Sequence, residues 1–212
     1  MAVQTAPIRN VEGRQVPPAG HWMIDPSHSS LELIARHMMI SKVRGRFRQF
    51  SGVIVVAEQP EESWVDVVIE AASIDTGDAQ RDSHLRSADF LDVERFPHIT
   101  FRSTAVQPAR DDRWAVTGDL TIRNLTRPVT LGVEFCGATV DPWGKLRAGF
   151  LATGEIDREQ FDVTWNQALE TGGFLVGKGV KLEADLEAVR ASEPETTEEG
   201  DDRSGRPPES AS

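Results

Sequence analysis

One signal recurs along this chain: apolar and polar side chains alternate. The clearest run, "GVKLEADLEA" (179–188), sets Val180, Leu182, Ala184 and Leu186 against Lys181, Glu183, Asp185 and Glu187. A period of two marks a strand with one buried and one solvated face. "WVDVVIEA" (64–71) puts Val65, Val67 and Ile69 on one face and Asp66 and Glu70 on the other. "RPVTLGVEF" (127–135) aligns Val129, Leu131, Val133 and Phe135. "WAVTGDLTIR" gathers Trp114, Val116, Leu120 and Ile122, and "LRAGFLATGEI" gathers Leu146, Ala148, Phe150 and Ala152. "HWMID", "SLELIARHM", "RFRQFSGVIVVAE" and "HITFRSTAVQ" complete the strands, and "TGDA", "NLTRP" and "DPWGK" read as turns.

Eight or nine such strands with short connections predict an all-β antiparallel sheet. Long strands leave long open edges, and closure into a barrel removes them. An eight-stranded barrel is either filled by side chains or holds one small ligand. Ala148, Ala152, Gly118 and Ala184 are small residues on inward faces, which predicts an elongated apolar cavity. A solid core is the competing reading, because small residues also serve close sheet packing. The expected ligand-facing residues are Leu33, Val65, Val67, Ile69, Phe101, Leu120, Ile122, Leu131, Val133, Phe135 and Phe150.

The alternation stops at "DAQRDSHLRSADFLD" (78–92), which predicts one short amphipathic helix. Asp78 is placed to cap it, Asp82 and Arg86 to pair four residues apart, and Leu85 and Ala88 to face the protein. Asp82, Ser83 and His84 are neighbours on a helix, so they point in different directions and form no catalytic triad. Arg81 and His84 share a face and could donate to a head group at the cavity mouth. The favoured reading is that the helix charges pin it as a structural cap. Trp165 reads either as closing one end of the cavity or as plain core. The five histidines show no metal-ligand spacing, so no metal or other cofactor is expected. Cys136 reads as an ordinary sheet residue.

The stretch 73–104, "SIDTGDAQRDSHLRSADFLDVERFPHITFRST", resembles the central fingerprint of the YceI-like family of lipocalin-like barrels. "WMIDPSHSSLELIARHMMISKVRGRF" (22–47), "GDLTIRNLTRPVTLGVEF" (118–135) and "ATGEIDREQFDVTWNQALETGGFLVGKGVKLEADLEA" (152–188) resemble its opening, middle and close. The resemblance implies an extended barrel whose hydrophobic tunnel binds a polyisoprenoid or other long-chain lipid. It implies no known reaction. The expected function is therefore a carrier or storage protein. The alternative is an enzyme or stress-response factor acting on an isoprenoid or quinone lipid.

The sequence divides into a flexible lead-in (1–20), the lipid-binding barrel (21–190) and an acidic tail (191–212). The 212 residues carry a formal charge of −11, which argues against a nucleic-acid partner. No segment reads as a signal peptide or a membrane span, so stable membrane insertion is not expected. With a single cysteine the expected compartment is the cytoplasm. A homodimer is compatible with this reading. The tail has seven acids, two bases and no large apolar residue, so it is expected to stay disordered. Deleting residues 191–212 should therefore leave the melting temperature and lipid binding unchanged; a loss of several degrees in a thermal melt would contradict this.

Overall fold

A computed structural model describes residues 8–168 and 175–191. Almost all of the tail, and the Gly-rich stretch after Ala168, lie outside the described residues. Thirteen strands form in the described residues: β1 (Arg9–Val11), β2 (Arg14–Val16), β3 (Gly20–Ile24), β4 (Ser30–His37), β5 (Ser41–Phe47), β6 (Phe50–Val56), β7 (Trp64–Glu70), β8 (Ile74–Asp75), β9 (His98–Pro108), β10 (Trp114–Ile122), β11 (Leu125–Val140), β12 (Leu146–Asp157) and β13 (Val176–Arg190). One α-helix, α1 (Ala79–Arg86), lies between β8 and β9.

The expected eight-stranded antiparallel barrel forms. Its staves follow chain order, and three of them are interrupted. β3 and β4 make the first stave, β5 and β6 the second, β7 and β8 the third. β9 to β13 are the remaining five, each antiparallel to the one before. β7 pairs with β9 across the helical insertion.

Closure depends on β13. It pairs with β12 along one edge, from Arg147↔Val189 to Asp157↔Gly179. Its other edge pairs with β4 as far as Asp185↔Ser30, then with β3 from Ala188↔Ile24. The break between β3 and β4 is stitched to β13 by side chains. Ser29 is buried; its Oγ donates to the Glu187 carbonyl and accepts from the Glu187 N–H, at 3.2 and 2.9 Å. The Asp25 N–H donates to the same carbonyl at 2.8 Å.

Arg147 on β12 holds this break from outside. Its Nε donates to Asp141 Oδ2 at 2.8 Å, and its Nη1 donates to Asp25 Oδ2 at 2.9 Å and to Glu187 Oε1. Hydrogen bonds from Ser27, His28 and Arg147 hold the Asp25 carboxyl well below the usual range. Arg147 does the same for Asp141.

The flexible lead-in that the sequence suggested is instead partly structured. β1 and β2 form a hairpin whose turn is closed by Asn10 Oδ1 accepting from the Gly13 N–H, with Gly13 at φ 85°. Arg9 donates to the Ala57 carbonyl and pairs with Glu58 at 2.8 Å, and Arg14 lies over the Trp114 ring. These long-range contacts order a segment that has little apolar patterning of its own.

The inward small residues divide into two kinds. Ala152 and Ala184 border the open interior. Gly118 does not leave space: a Cβ there would lie 2.6 Å from the Phe101 ring, so the glycine admits that ring. Ala148 is fully buried in the core cluster around Trp22.

The seam makes a pH-dependent prediction. Asp25 and Asp141 have folded pKa values below their unfolded ones, so their contribution is present above about pH 4 and is lost as pH falls through the folded values. Arg147→Met should lower the melting temperature near neutral pH by roughly 2–4 °C. The gap from wild type should narrow as the pH is taken below about 3. A gap that stays constant in thermal melts across that range would contradict this role.

Candidate functional site

The inward faces of all eight staves surround a cavity of about 350 Å³. Leu33, Val65, Val67, Ile69, Phe101, Leu120, Ile122, Leu131, Val133, Phe135 and Phe150 all line it. Arg81, His84 and Trp165 do not. Among the described residues, only Glu32, Ser63, Arg158 and Glu183 on its wall carry polar side chains other than the indoles of Trp64 and Trp114. Glu32 alternates with inward Leu31 and Leu33, and its carboxylate pairs outside with Arg44 at 3.2 Å. Phe135 and Phe150 pack ring to ring at 5.8 Å.

At one end of the barrel the first hairpin contributes Val16 and Pro17, beside Pro60. At the other end, Leu85 of α1 lies with Phe90, Leu91, Phe161 and Val163. Sequence alternation missed Phe90, Leu91, Phe161 and Val163 because they lie outside the strands. The dense apolar pairs in "ADFLD" and "QFDV" were the available signal.

Local chemistry fixes α1 in place. Asp78 Oδ1 accepts from the Arg81 N–H at 2.9 Å, as a capping residue should. The expected Asp82–Arg86 pair does not form. Asp82 is 7% exposed, and its Oδ1 accepts from the Thr76 N–H and hydroxyl at 2.9 and 2.6 Å. Arg86 donates to the carbonyls of Ala72 and Ile74 at 2.7 and 2.6 Å. Both charges satisfy polar groups of segment 72–76, where the third stave breaks off and leaves backbone without strand partners. Arg81 likewise donates to the Thr76 hydroxyl and carbonyl.

The helix also ends sooner than its sequence suggested. It stops at Arg86, with the Ser87 N–H bonded to the His84 carbonyl, and Ala88 is exposed rather than inward. Asp89 Oδ2 accepts from His84 Nε2 at 2.9 Å, and the His84 ring stands edge-on to Phe90 and Trp165 at 5.0 and 4.7 Å. Trp165 thus packs behind Phe90 instead of forming the cavity wall.

Arg158 was not expected from sequence. It is 5% exposed and borders the cavity at the α1 end. Its guanidinium donates to the carbonyls of Val163, Trp165 and Gly177 at 2.6, 2.9 and 3.1 Å. Among the described residues no carboxylate accepts from it, and burial pushes its pKa down. Arg158 clips the chain after β12 to the start of β13, which shapes that end of the cavity.

A dry apolar cavity is costly when empty. At about 24 cal/mol per Å³, a void of this size costs on the order of 8 kcal/mol. That is comparable with the whole stability of a typical domain, about 5–15 kcal/mol. A wall with so few polar groups suits apolar burial, and among the described residues it presents no nucleophile beside a base. Asp25, His28 and Glu187 cluster on the exterior, where Arg147 already occupies the Asp25 and Glu187 carboxylates.

Comparison with known proteins agrees with this geometry. A UPF0312 protein of Staphylococcus aureus (strain USA300) is 41% identical over 170 residues, covering 79% of this chain and 96% of the relative. The Campylobacter jejuni YCEI protein superimposes with a TM-score of 0.64 at 28% identity, over 74% of this chain and 90% of that one. Burkholderia cenocepacia BcnA shares the fold with a TM-score of 0.68 at 24% identity, over 77% of this chain and 98% of that one. The model of the YceI-like domain matches residues 22–188, from Trp22 at the first stave to Ala188 at the seam, and the chain belongs to the YceI-like family.

Proposed function

We propose that this protein binds a long-chain isoprenoid or a related amphipathic lipid inside the barrel, as a carrier or store. One observation carries the reading: the cavity of about 350 Å³ has a wall that is apolar along its length. That volume falls within the range of ligand sites, about 300–1,000 Å³. Each Å² of chain buried there contributes about 25 cal/mol before ordering costs. A flexible hydrocarbon matches such a wall, because it needs no hydrogen-bond partners. A fold neighbour from Saccharophagus degradans, with a TM-score of 0.60 at 14% identity over 82% of this chain, is described as a polyisoprenoid binding domain. That description belongs to the neighbour, and the apolar wall is what extends it to this chain.

On this reading α1 is a cap and the lipid is held chemically unaltered. The charges of Arg81, Asp82 and Arg86 are engaged with segment 72–76, which supports the cap. No helix among the described residues is long and apolar enough to cross a membrane. The single cysteine suits a cytoplasmic setting, and a homodimer is compatible with lipid carriage.

Native mass spectrometry of freshly purified protein should show a mass above that of the chain, removable by organic solvent. The extracted molecule should be an unaltered prenyl or acyl lipid. A chain mass with no adduct, or recovery of a converted product, would defeat the carrier reading. Ala152 borders the cavity, so Ala152→Leu should reduce the lipid-bound fraction about tenfold without lowering the melting temperature.

A further inference from the structure

The tip of the β4–β5 hairpin combines two features that the cavity does not explain. Met38, Met39 and Ile40 stand consecutively in the turn, with Met39 66% and Ile40 80% exposed. Three adjacent exposed apolar side chains cost solubility. The backbone beneath them is also unfavourable for such residues. Met38 and Met39 both have positive φ, at 50° and 59°, and the Ile40 N–H donates to the His37 carbonyl at 3.0 Å. That is a turn in which asparagine and glycine are strongly favoured at both central positions. Methionine there carries a backbone cost with no return inside the fold.

The charge around this tip is opposite to that of the molecule. The chain carries −11 overall, yet no carboxylate occurs between Glu32 and Glu58, and Arg36, Lys42, Arg44, Arg46 and Arg48 all fall in that interval. Arg44 pairs with Glu32, Arg48 with Asp75, and Arg46 donates to the Ser29 carbonyl. Arg36 and Lys42, paired across the hairpin beside the tip, are exposed and have no ion-pair partner among the described residues. An apolar point flanked by Arg36 and Lys42 is the pattern of a segment that enters the interface of an anionic bilayer. Long basic side chains reach phosphate groups while the apolar tip sits at the acyl boundary.

We propose that the Met38–Ile40 tip is a peripheral docking element for an anionic lipid surface. It engages reversibly and spans nothing. Methionine suits such a surface because its flexible thioether adapts to irregular packing. The inference concerns the exterior of the barrel and stands whatever the cavity holds.

The test is co-sedimentation of the full chain with vesicles of phosphatidylglycerol mixed with phosphatidylcholine, and with vesicles of phosphatidylcholine alone. Wild type should partition at least about tenfold more strongly to the anionic vesicles, and this preference should fall as salt is raised. The triple variant Met38→Asn, Met39→Gly, Ile40→Thr gives the turn the residues its backbone favours, so its melting temperature should match or exceed wild type. It should nonetheless lose vesicle binding by about tenfold or more. Lys42→Glu, which keeps the turn, should weaken binding roughly fivefold or more. Equal partition to neutral and anionic vesicles, no sedimentation of wild type, or unchanged binding by the triple variant would each overturn the proposal.

Discussion

The structure depends on the seam where the last strand meets the first stave. β13 must satisfy backbone groups along both edges, and its second edge meets a stave broken between Ile24 and Ser30. A sheet with that gap unfilled would expose carbonyls and N–H groups beside the core, each costing as much as a lost buried hydrogen bond. Ser29 replaces the missing backbone partner by both donating to and accepting from Glu187. Arg147 then ties the outer carboxylates of the break to the neighbouring strand. Enclosure of the cavity follows from this closure, because an open sheet has no inside.

The cavity in turn explains how the core is distributed. Most buried side chains form a shell instead of a central plug, and the tightest packing lies where rings approach the sheet. Trp22 is fully buried, with its Nε1 donating to the Pro18 carbonyl at 3.2 Å, in the cluster that includes Ala148 and Ala188. Phe101 occupies the space that Gly118 leaves. Ala152 and Ala184 are the small residues whose missing volume stays open. Residue size alone therefore does not reveal a cavity; what faces each small residue does.

Alternation made the staves legible, since a side-chain period of two depends only on which face meets the core. Residues such as Leu131, Val133 and Phe150 could be placed on inward faces on that basis alone. What stayed illegible is held by long-range polar contacts. Arg158 bonds to carbonyls at Val163, Trp165 and Gly177, and nothing in "DREQF" announces a buried cation. Asp82 and Arg86 have helical spacing that suits a mutual pair, but the chain end at 72–76 offered stronger partners. The β1–β2 hairpin lacks an apolar pattern because Arg9 and Arg14 attach it through carbonyls and an indole ring.

The three interruptions in the first staves lie beside one another. Residues 25–29, 48–49 and 71–73 are connected across the wall, with the Arg48 N–H donating to the Ser73 carbonyl and the Glu70 N–H to the Gln49 carbonyl. A ladder that loses regular pairing at one level in three neighbouring staves has a crease there. The wall bends at that level on the side of the first three staves, while β9 to β13 run past it as single strands. β4 stays paired with β13 from Leu31↔Ala184 to Ala35↔Val180, so the crease bends the wall without freeing either side of it.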